Sequence, residues 1–225
     1  MPADYHMHLE EGDFTRAWVE EYVAVARARG VDEICFTEHS YRFRQAHGLL
    51  DNAWARERET ADLDAYVRVV LEAREAGLPV KLGIEMDYVP GKEREIASFL
   101  AGYPWDLVLG SVHWLGDWGI DLDPSTWRDR DVDQVYREYY ATLRQAAESG
   151  LFDVLAHPDL VKIFGFRPAG DVDDAVAEAV QAAARAGVCL EVSSAGLRKP
   201  VGRIYPELDI LRLAWSCGIP ITLAS

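Results

Sequence analysis

The 225-residue sequence predicts an α/β protein, a closed barrel of parallel strands, and two observations lead there. Short apolar runs alternate with amphipathic helices seven times, which is typical of a parallel sheet with right-handed crossovers. Five of the six histidines stand where such an apolar run ends. Strand C-termini share one face of a barrel, whereas an open sheet gathers its ligands at a single switch point, so histidines around a ring favour the barrel.

The strands are predicted from apolar runs bounded by turn residues, at residues 3–8, 33–37, 80–86, 107–112, 153–156, 188–192 and 219–224. The helices are predicted at residues 15–29, 63–76, 92–100, 132–149, 172–186 and 207–217. The first helix places Trp18, Tyr22 and Val25 on one face and stops at Gly30, and Gly150 stops the fourth. The two polar stretches at 41–59 and 117–130 are predicted to be mainly irregular.

The composition of the chain limits the classes of function that it can have. The net charge is −15, which repels nucleic acid and anionic membranes and also a phosphorylated substrate, unless bound cations reverse the sign locally. No apolar run approaches the roughly 18 residues of a membrane span. Because cysteines are few and odd in number (Cys35, Cys189 and Cys217) and the N-terminus lacks a signal-peptide pattern, we expect buried, reduced thiols in a cytoplasmic protein.

The first strand carries the strongest pattern. Side chains alternate along a strand, so His6, His8 and, if the strand continues to residue 10, Glu10 are expected to face the same way and to reach one or two metal ions. Glu11 and Asp13 compete with Glu10 for this role, and Asp13 is also a possible cap of the following helix. The plain alternative for the two histidines is an exposed polar strand face.

Other strand ends repeat the pattern. His39, His113 and His157 each end a predicted strand and are candidate ligands. Glu85 lies at the end of the third strand, where a buried acid is costly unless it is paired or coordinated, so it is either a metal ligand or an arginine partner. Glu38 points away from His39 by alternation and is expected behind the ligands. His47, in a polar stretch, is expected at the surface.

Imidazole and carboxylate donors together suit Zn²⁺, Fe or Mn²⁺ rather than Mg²⁺ or Ca²⁺. Several such donors around one pocket allow two or three ions, which activate water and clamp a phosphoryl or acyl oxygen. Cations on the same face need a reason in so acidic a chain. Arg198 and Lys199 are the main candidates for binding phosphate oxygens, and surface charge is the alternative. Lys162, Arg42 and Arg167 are fainter candidates.

These motifs together resemble the PHP (polymerase and histidinol phosphatase) superfamily of metallophosphoesterases. The resemblance covers essentially the whole chain and rests on segments that begin at His6, Thr37, Gly83, Gly110 and Ala156. Two longer stretches, GSVHWLGDWGIDLDP and SSAGLRKPVGRIYPELDIL, look most like the histidinol-phosphate phosphatases.

The resemblance implies a distorted (β/α)7 TIM-like barrel, a centre of two or three metals, and hydrolysis of L-histidinol phosphate in histidine biosynthesis. It implies catalytic roles for Glu85 and His113. Its metal ligands match His6, His8, His39, Glu85, His113 and His157, and its phosphate contact matches Arg198.

Two departures from the family pattern stand out. Family members carry a histidine or aspartate after the first His-x-His, where this chain offers Glu10, Glu11 or Asp13. The family also has an Asp-x-His pair after the seventh strand, so we expect residues 1–225 to be a single domain that lacks its C-terminal segment. The alternatives that stay open are activity on another small phosphate ester or nucleotide, a non-catalytic metal-binding domain, and an amidohydrolase-type deacylase.

Overall fold

The computed structural model describes residues 2–10 and 12–225, which form two compact units. The first unit comprises Met1–Met86, Arg94–Leu109 and Leu223–Ser225, and the second comprises Asp87–Glu93 and Gly110–Thr222. Glu11, one of the three competing acids, lies outside the described residues. None of the helices within the described ranges has the length and apolar character that crossing a membrane requires.

The first unit contains parallel strands with helices between them. Its elements, in chain order, are β1 (Ala3–Met7), α1 (Arg16–Ala28), β2 (Glu33–His39), α2 (Ala53–Arg56), α3 (Leu63–Glu75), β3 (Val80–Asp87), α4 (Glu93–Leu100) and β4 (Leu107–Ser111). The last residues of β3 and β4 and the first of α4 belong to the second unit. The strands follow one another as β1-β2-β3-β4, with β1–β2 and β2–β3 parallel.

Helix α1 shows how the sequence forms these elements. The Thr15 side chain accepts a hydrogen bond from the Trp18 amide and so caps the first turn. Val19 and Val23 bury one face of the helix against the sheet. The sequence interpretation that put Val25 on this face is wrong, because its side chain is 52% exposed. Successive side chains of an α-helix point about 100° apart around the helix axis. Val25 therefore lies outside the face that Val19 and Val23 bury.

A tyrosine and a glycine hold β2 and β3 together. The Tyr66 hydroxyl, fully buried, lies 2.7 Å from the carbonyl oxygen of Phe36 and 2.9 Å from that of Gly83. A Cβ atom on Gly83 would stand within 3 Å of Thr37, Cys35 and the backbone of β4, so only glycine fits between these strands. This packing lies below the strand ends that carry the candidate ligands.

The second unit continues the alternation. Its elements are β5 (Trp114–Leu115), β6 (Trp118–Gly119), α5 (Val132–Glu148), β7 (Val154–Leu155), α6 (Asp173–Ala186), β8 (Cys189–Ser193), α7 (Leu208–Ser216) and β9 (Ile221–Ala224), of which β9 ends in the first unit. The strand order is β4-β7-β8-β9, and β7 pairs with β8 in parallel. Strands β5 and β6 form a separate antiparallel hairpin.

Several sequence expectations need correction. The stretch at 117–130, expected to be mainly irregular, contains β6 and a 3-10 turn, Pro124–Trp127, and the indole of Trp127 is buried. Strand β7 is two residues long instead of four, because His157 has a φ of 29° that ends the extended conformation. Of the three thiols only Cys35 is buried, whereas the other two are partly exposed.

Candidate metal centre

A buried carboxylate lies among three imidazoles in the first unit. Glu85 is fully buried, and its Oε2 atom lies 3.2 Å from His6 Nε2, 3.5 Å from His8 Nε2 and 2.8 Å from His39 Nδ1. Strand pairing explains the arrangement, because the β2–β3 register sets His39 directly opposite Glu85. His6 lies on β1, and His8 is the first residue after the end of that strand.

Glu10 joins the same neighbourhood. Its Oε1 atom lies 3.3 Å from His39 Nε2, and the hydrogen bond to His39 lowers the pKa of this half-buried carboxyl. The rings of His8 and His39 stack at 4.2 Å between centroids. Asp13, the competing acid, is exposed, and the helix cap that it was also considered for is Thr15. Of the competing acids that the structure describes, Glu10 is therefore the one beside the histidines.

The donor atoms of the first unit fit divalent metal ions. One group is His6, His8 and Glu85, and another is His8, Glu10 and His39, and within each group one donor atom per residue lies within 4.8 Å of the others. A fully buried carboxylate is costly unless a cation or hydrogen-bond donors compensate it. Imidazole nitrogen with carboxylate oxygen is a donor set for Zn²⁺, Fe or Mn²⁺.

The second unit holds the other two candidate histidines. His113 is 7% exposed, and its Nδ1 lies 2.8 Å from Oδ1 of Asp87, so that Nδ1 carries the proton and Nε2 is left as a donor to a metal. The rings of His113 and His157 lie 5.0 Å apart. The His157 amide donates to Glu191, a fully buried carboxylate, at 2.6 Å.

The basic candidates occupy very different places. Arg198 and Lys199 are exposed, and their side chains form no ion pair or hydrogen bond within the part of the chain that the structure describes. Lys162 is buried, and its ammonium lies 2.7 Å from Asp159 and donates to the carbonyl of Ile204 at 2.6 Å.

The two fainter basic candidates are both paired with carboxylates. Arg167 binds Glu207 at 2.6 Å, and Arg42 binds Glu38. His47, as expected, is exposed and pairs with Glu59 at 2.6 Å.

Glu38 lies on the opposite side of β2 from His39, as the alternation predicts. Its carboxylate is fully buried and accepts hydrogen bonds from the Leu9 amide and from Arg42. Burial raises the pKa of this carboxyl, and the Arg42 guanidinium opposes that rise. The carboxylate therefore binds the backbone of the segment that carries His8 and Glu10.

Sequence reasoning missed Asp87 and Glu191, the partners of the two second-unit histidines. Asp87 had a usable signal, since it follows Glu85 by two residues on the same strand and so faces the same way. Glu191 lies in the middle of β8 and contacts a backbone amide, which no spacing in the sequence indicates.

The chain is similar to a known protein family and to several named proteins. The family described as PHP domain matches residues 4–195 of the chain. A Deinococcus radiodurans protein named probable histidinol-phosphatase is 36% identical over 99% of this chain and 84% of its own length. The histidinol-phosphatase of Bacillus subtilis is 29% identical over 99% of this chain and 91% of its own length.

Solved structures confirm the fold class. The hisK protein of Listeria monocytogenes aligns with a TM-score of 0.83 at 23% identity, over 99% of this chain and 94% of its own. The histidinol phosphate phosphatase of Lactococcus lactis, crystallised with zinc, L-histidinol and phosphate, aligns with a TM-score of 0.77 at 23% identity, over 100% and 85%. The predicted fold, a distorted (β/α)7 TIM-like barrel, is confirmed by this similarity.

Proposed function

Because the chain belongs to the PHP domain family, we propose that it is a metal-dependent phosphomonoesterase that hydrolyses L-histidinol phosphate to L-histidinol and phosphate. The observation that carries the proposal is the carboxylate of Glu85, buried within 3.5 Å of three imidazoles. The 36% identity to the Deinococcus protein, and the zinc, histidinol and phosphate bound by the Lactococcus enzyme, support the substrate.

The protein is proposed to bind two or three divalent ions, Zn²⁺, Fe or Mn²⁺. In the first unit the ligands are His6, His8, Glu10, His39 and Glu85, and in the second unit they are His113 and His157. Bound divalent ions make water more acidic and neutralise charge on phosphate oxygens.

The protein's own residues orient and hold these ligands. The Glu85 carboxylate lies close to three imidazoles. Because it is fully buried, its charge is shielded from bulk water. Asp87 fixes the tautomer of His113 by accepting a hydrogen bond from Nδ1–H. His113 is proposed to hold Nε2 toward the reacting groups, which is the basis of the catalytic role expected for it. A carboxylate or histidine is expected to protonate the departing alkoxide.

Arg198, with Lys199 beside it, is proposed to bind the phosphate of the substrate. Both side chains are exposed and so are available to a ligand. A guanidinium donates two parallel hydrogen bonds to phosphate oxygens and stabilises the charge that they carry in the transition state. Lys162 is a weaker candidate for this role because it already binds Asp159 and Ile204 in the interior.

Charge also bears on the partners. With a net charge of −15, the protein is proposed to act on a small phosphorylated molecule and not on nucleic acid. The sparse cysteines, all free, agree with the proposed location in the cytoplasm.

The test compares substrates. We expect kcat/KM for L-histidinol phosphate to exceed that for p-nitrophenyl phosphate by at least about tenfold, since binding of the amine and imidazole contributes to transition-state stabilisation. Glu85→Gln, which keeps the shape of the side chain and removes its charge, should abolish turnover of both esters. Equal kcat/KM for the two esters would contradict the proposed substrate, and full activity of Glu85→Gln would contradict the proposed centre.

A further inference from the structure

Two hydrogen-bonded side chains hold the backbone of residues 8–10 from behind the candidate ligands. Glu38 accepts from the Leu9 amide, and the same carboxylate binds Arg42. Arg42 extends the chain of contacts by donating from a second guanidinium nitrogen to the carbonyl oxygen of Glu10 at 3.2 Å. The backbone is thus fixed at two points, an N–H at residue 9 and a C=O at residue 10.

The fixed segment carries two of the donors in one candidate metal group. His8 and Glu10 flank Leu9, and both lie beside His39, His8 by ring stacking and Glu10 by an oxygen 3.3 Å from Nε2. Glu38 and His39 are neighbours at the end of β2 and point to opposite faces. The end of β2 therefore supplies the candidate metal donor His39 on one face. On the opposite face it supplies Glu38, whose carboxylate fixes the segment that carries His8 and Glu10.

Burial makes this arrangement rigid. Glu38 and Leu9 are 0% exposed and the Arg42 side chain is 22% exposed, so water competes little for the hydrogen bonds that Glu38 accepts. Segments that follow a strand usually move more than the strand itself, and metal affinity depends on donors that are already in place before the ion arrives.

We infer that Glu38 and Arg42 are positioning residues, which preset the His8–Glu10 segment so that His8, Glu10 and His39 bind one divalent ion. The inference rests on the proposed metal centre but not on its substrate. It assigns the pair a role in metal affinity, beyond the general stability that any buried ion pair contributes.

A matched control pair separates these two roles. Asp106 accepts from Arg74 at 2.7 Å and from the Leu82 amide at 2.8 Å, the same combination of guanidinium and backbone N–H that Glu38 accepts. Neither of these contacts involves a candidate ligand. Asp106→Asn thus removes the charge of a carboxylate with similar partners in the same unit, without touching residues 8–10.

The experiment measures Zn²⁺ binding by the metal-free protein, in competition with a chromophoric chelator. In Glu38→Gln one amide oxygen replaces two carboxylate oxygens, so either the Leu9 amide or Arg42 loses its acceptor. In Arg42→Lys one nitrogen replaces the two guanidinium nitrogens that contact Glu38 and the Glu10 carbonyl. We expect both substitutions to lower the affinity for one Zn²⁺ ion by about 10-fold or more, which is the usual effect of losing a residue that orients metal ligands. Asp106→Asn should bind Zn²⁺ as the unsubstituted protein does.

Two further readouts keep the result unambiguous. Co²⁺ added in place of Zn²⁺ should give a changed visible absorption spectrum in Glu38→Gln and an unchanged one in Asp106→Asn, because only the first alters ligand geometry. Glu38→Asp, which retains the charge, should recover part of the affinity. Unchanged Zn²⁺ affinity and Co²⁺ spectrum in folded Glu38→Gln would overturn the inference. Normal Zn²⁺ binding by the unsubstituted protein without hydrolysis of histidinol phosphate would instead overturn the proposed substrate alone.

Discussion

The substitution Lys162→Met tests the interior ion pair of the second unit. Lys162 and Asp159 are only 1% and 2% exposed, and the ammonium also lies 3.4 Å from Glu207. Methionine fills a similar volume but leaves the Asp159 carboxylate buried without its cation. Breaking a buried pair in this way costs about 3–5 kcal/mol. For a chain of this size that corresponds to a fall of about 6–10 °C in Tm.

The stability that Lys162→Met loses should depend on pH. Burial raises the pKa of Asp159, and the Lys162 ammonium opposes the rise, so removing the ammonium raises the pKa further. A carboxyl whose folded pKa lies above its unfolded value takes up a proton more readily when folded, so its penalty is largest at high pH and is lost as the pH falls through the folded pKa toward the unfolded value. The difference in unfolding free energy between Lys162→Met and the unsubstituted protein should therefore be smaller at pH 5 than at pH 8.

Urea unfolding followed by circular dichroism measures both effects. The double variant Lys162→Met/Asp159→Asn should be more stable than Lys162→Met alone, because the uncompensated charge is gone. If Lys162→Met unfolds at the same urea concentration as the unsubstituted protein while KM for histidinol phosphate rises, the structural reasoning is refuted. Lys162 would then be the phosphate contact that the sequence suggested.

Three further expectations concern other parts of the chain. Arg198→Ala should lower kcat/KM for histidinol phosphate by about 100-fold while leaving bound Zn²⁺ unchanged, since it removes one charge-assisted contact; an unchanged kcat/KM in steady-state assays would contradict the phosphate-binding role of Arg198. Gly83→Ala should lower the free energy of unfolding in urea by about 1–3 kcal/mol, because its Cβ would overlap neighbouring strands; an unchanged midpoint would contradict that packing. Cys35, fully buried and with its pKa raised by burial, should resist iodoacetamide in the native protein, whereas the partly exposed Cys189 and Cys217 react first, as mass spectrometry of the labelled chain would show.

Period-two alternation was the most productive sequence signal. It put Glu38 on the far side of His39, which the structure shows. His8 and Glu10 lie beside the same histidine, His39, although β1 already ends at Met7. The same rule applied to β3 would have found Asp87. Such patterns succeed because a strand leaves its side chains only two directions.

Contacts that involve backbone atoms were beyond sequence reasoning. Lys162 was a candidate phosphate contact in the sequence, yet its partners include the carbonyl of Ile204, 42 residues away along the chain. Arg42, a fainter candidate of the same kind, donates to the carbonyl of Glu10. Backbone groups carry no residue identity, so no spacing of residue types predicts which of them a long basic side chain will reach.

The proposal that this is a metal-dependent histidinol-phosphate phosphatase is tested most directly by metal removal and restoration. The protein is stripped with a chelator, dialysed, and assayed for phosphate released from L-histidinol phosphate before and after addition of Zn²⁺, Mn²⁺ or Fe²⁺. We expect no turnover in the stripped protein and recovery with at least one of these ions, with Glu85→Gln failing to recover. Undiminished turnover by the stripped protein, or none with any of the three ions, would contradict the account.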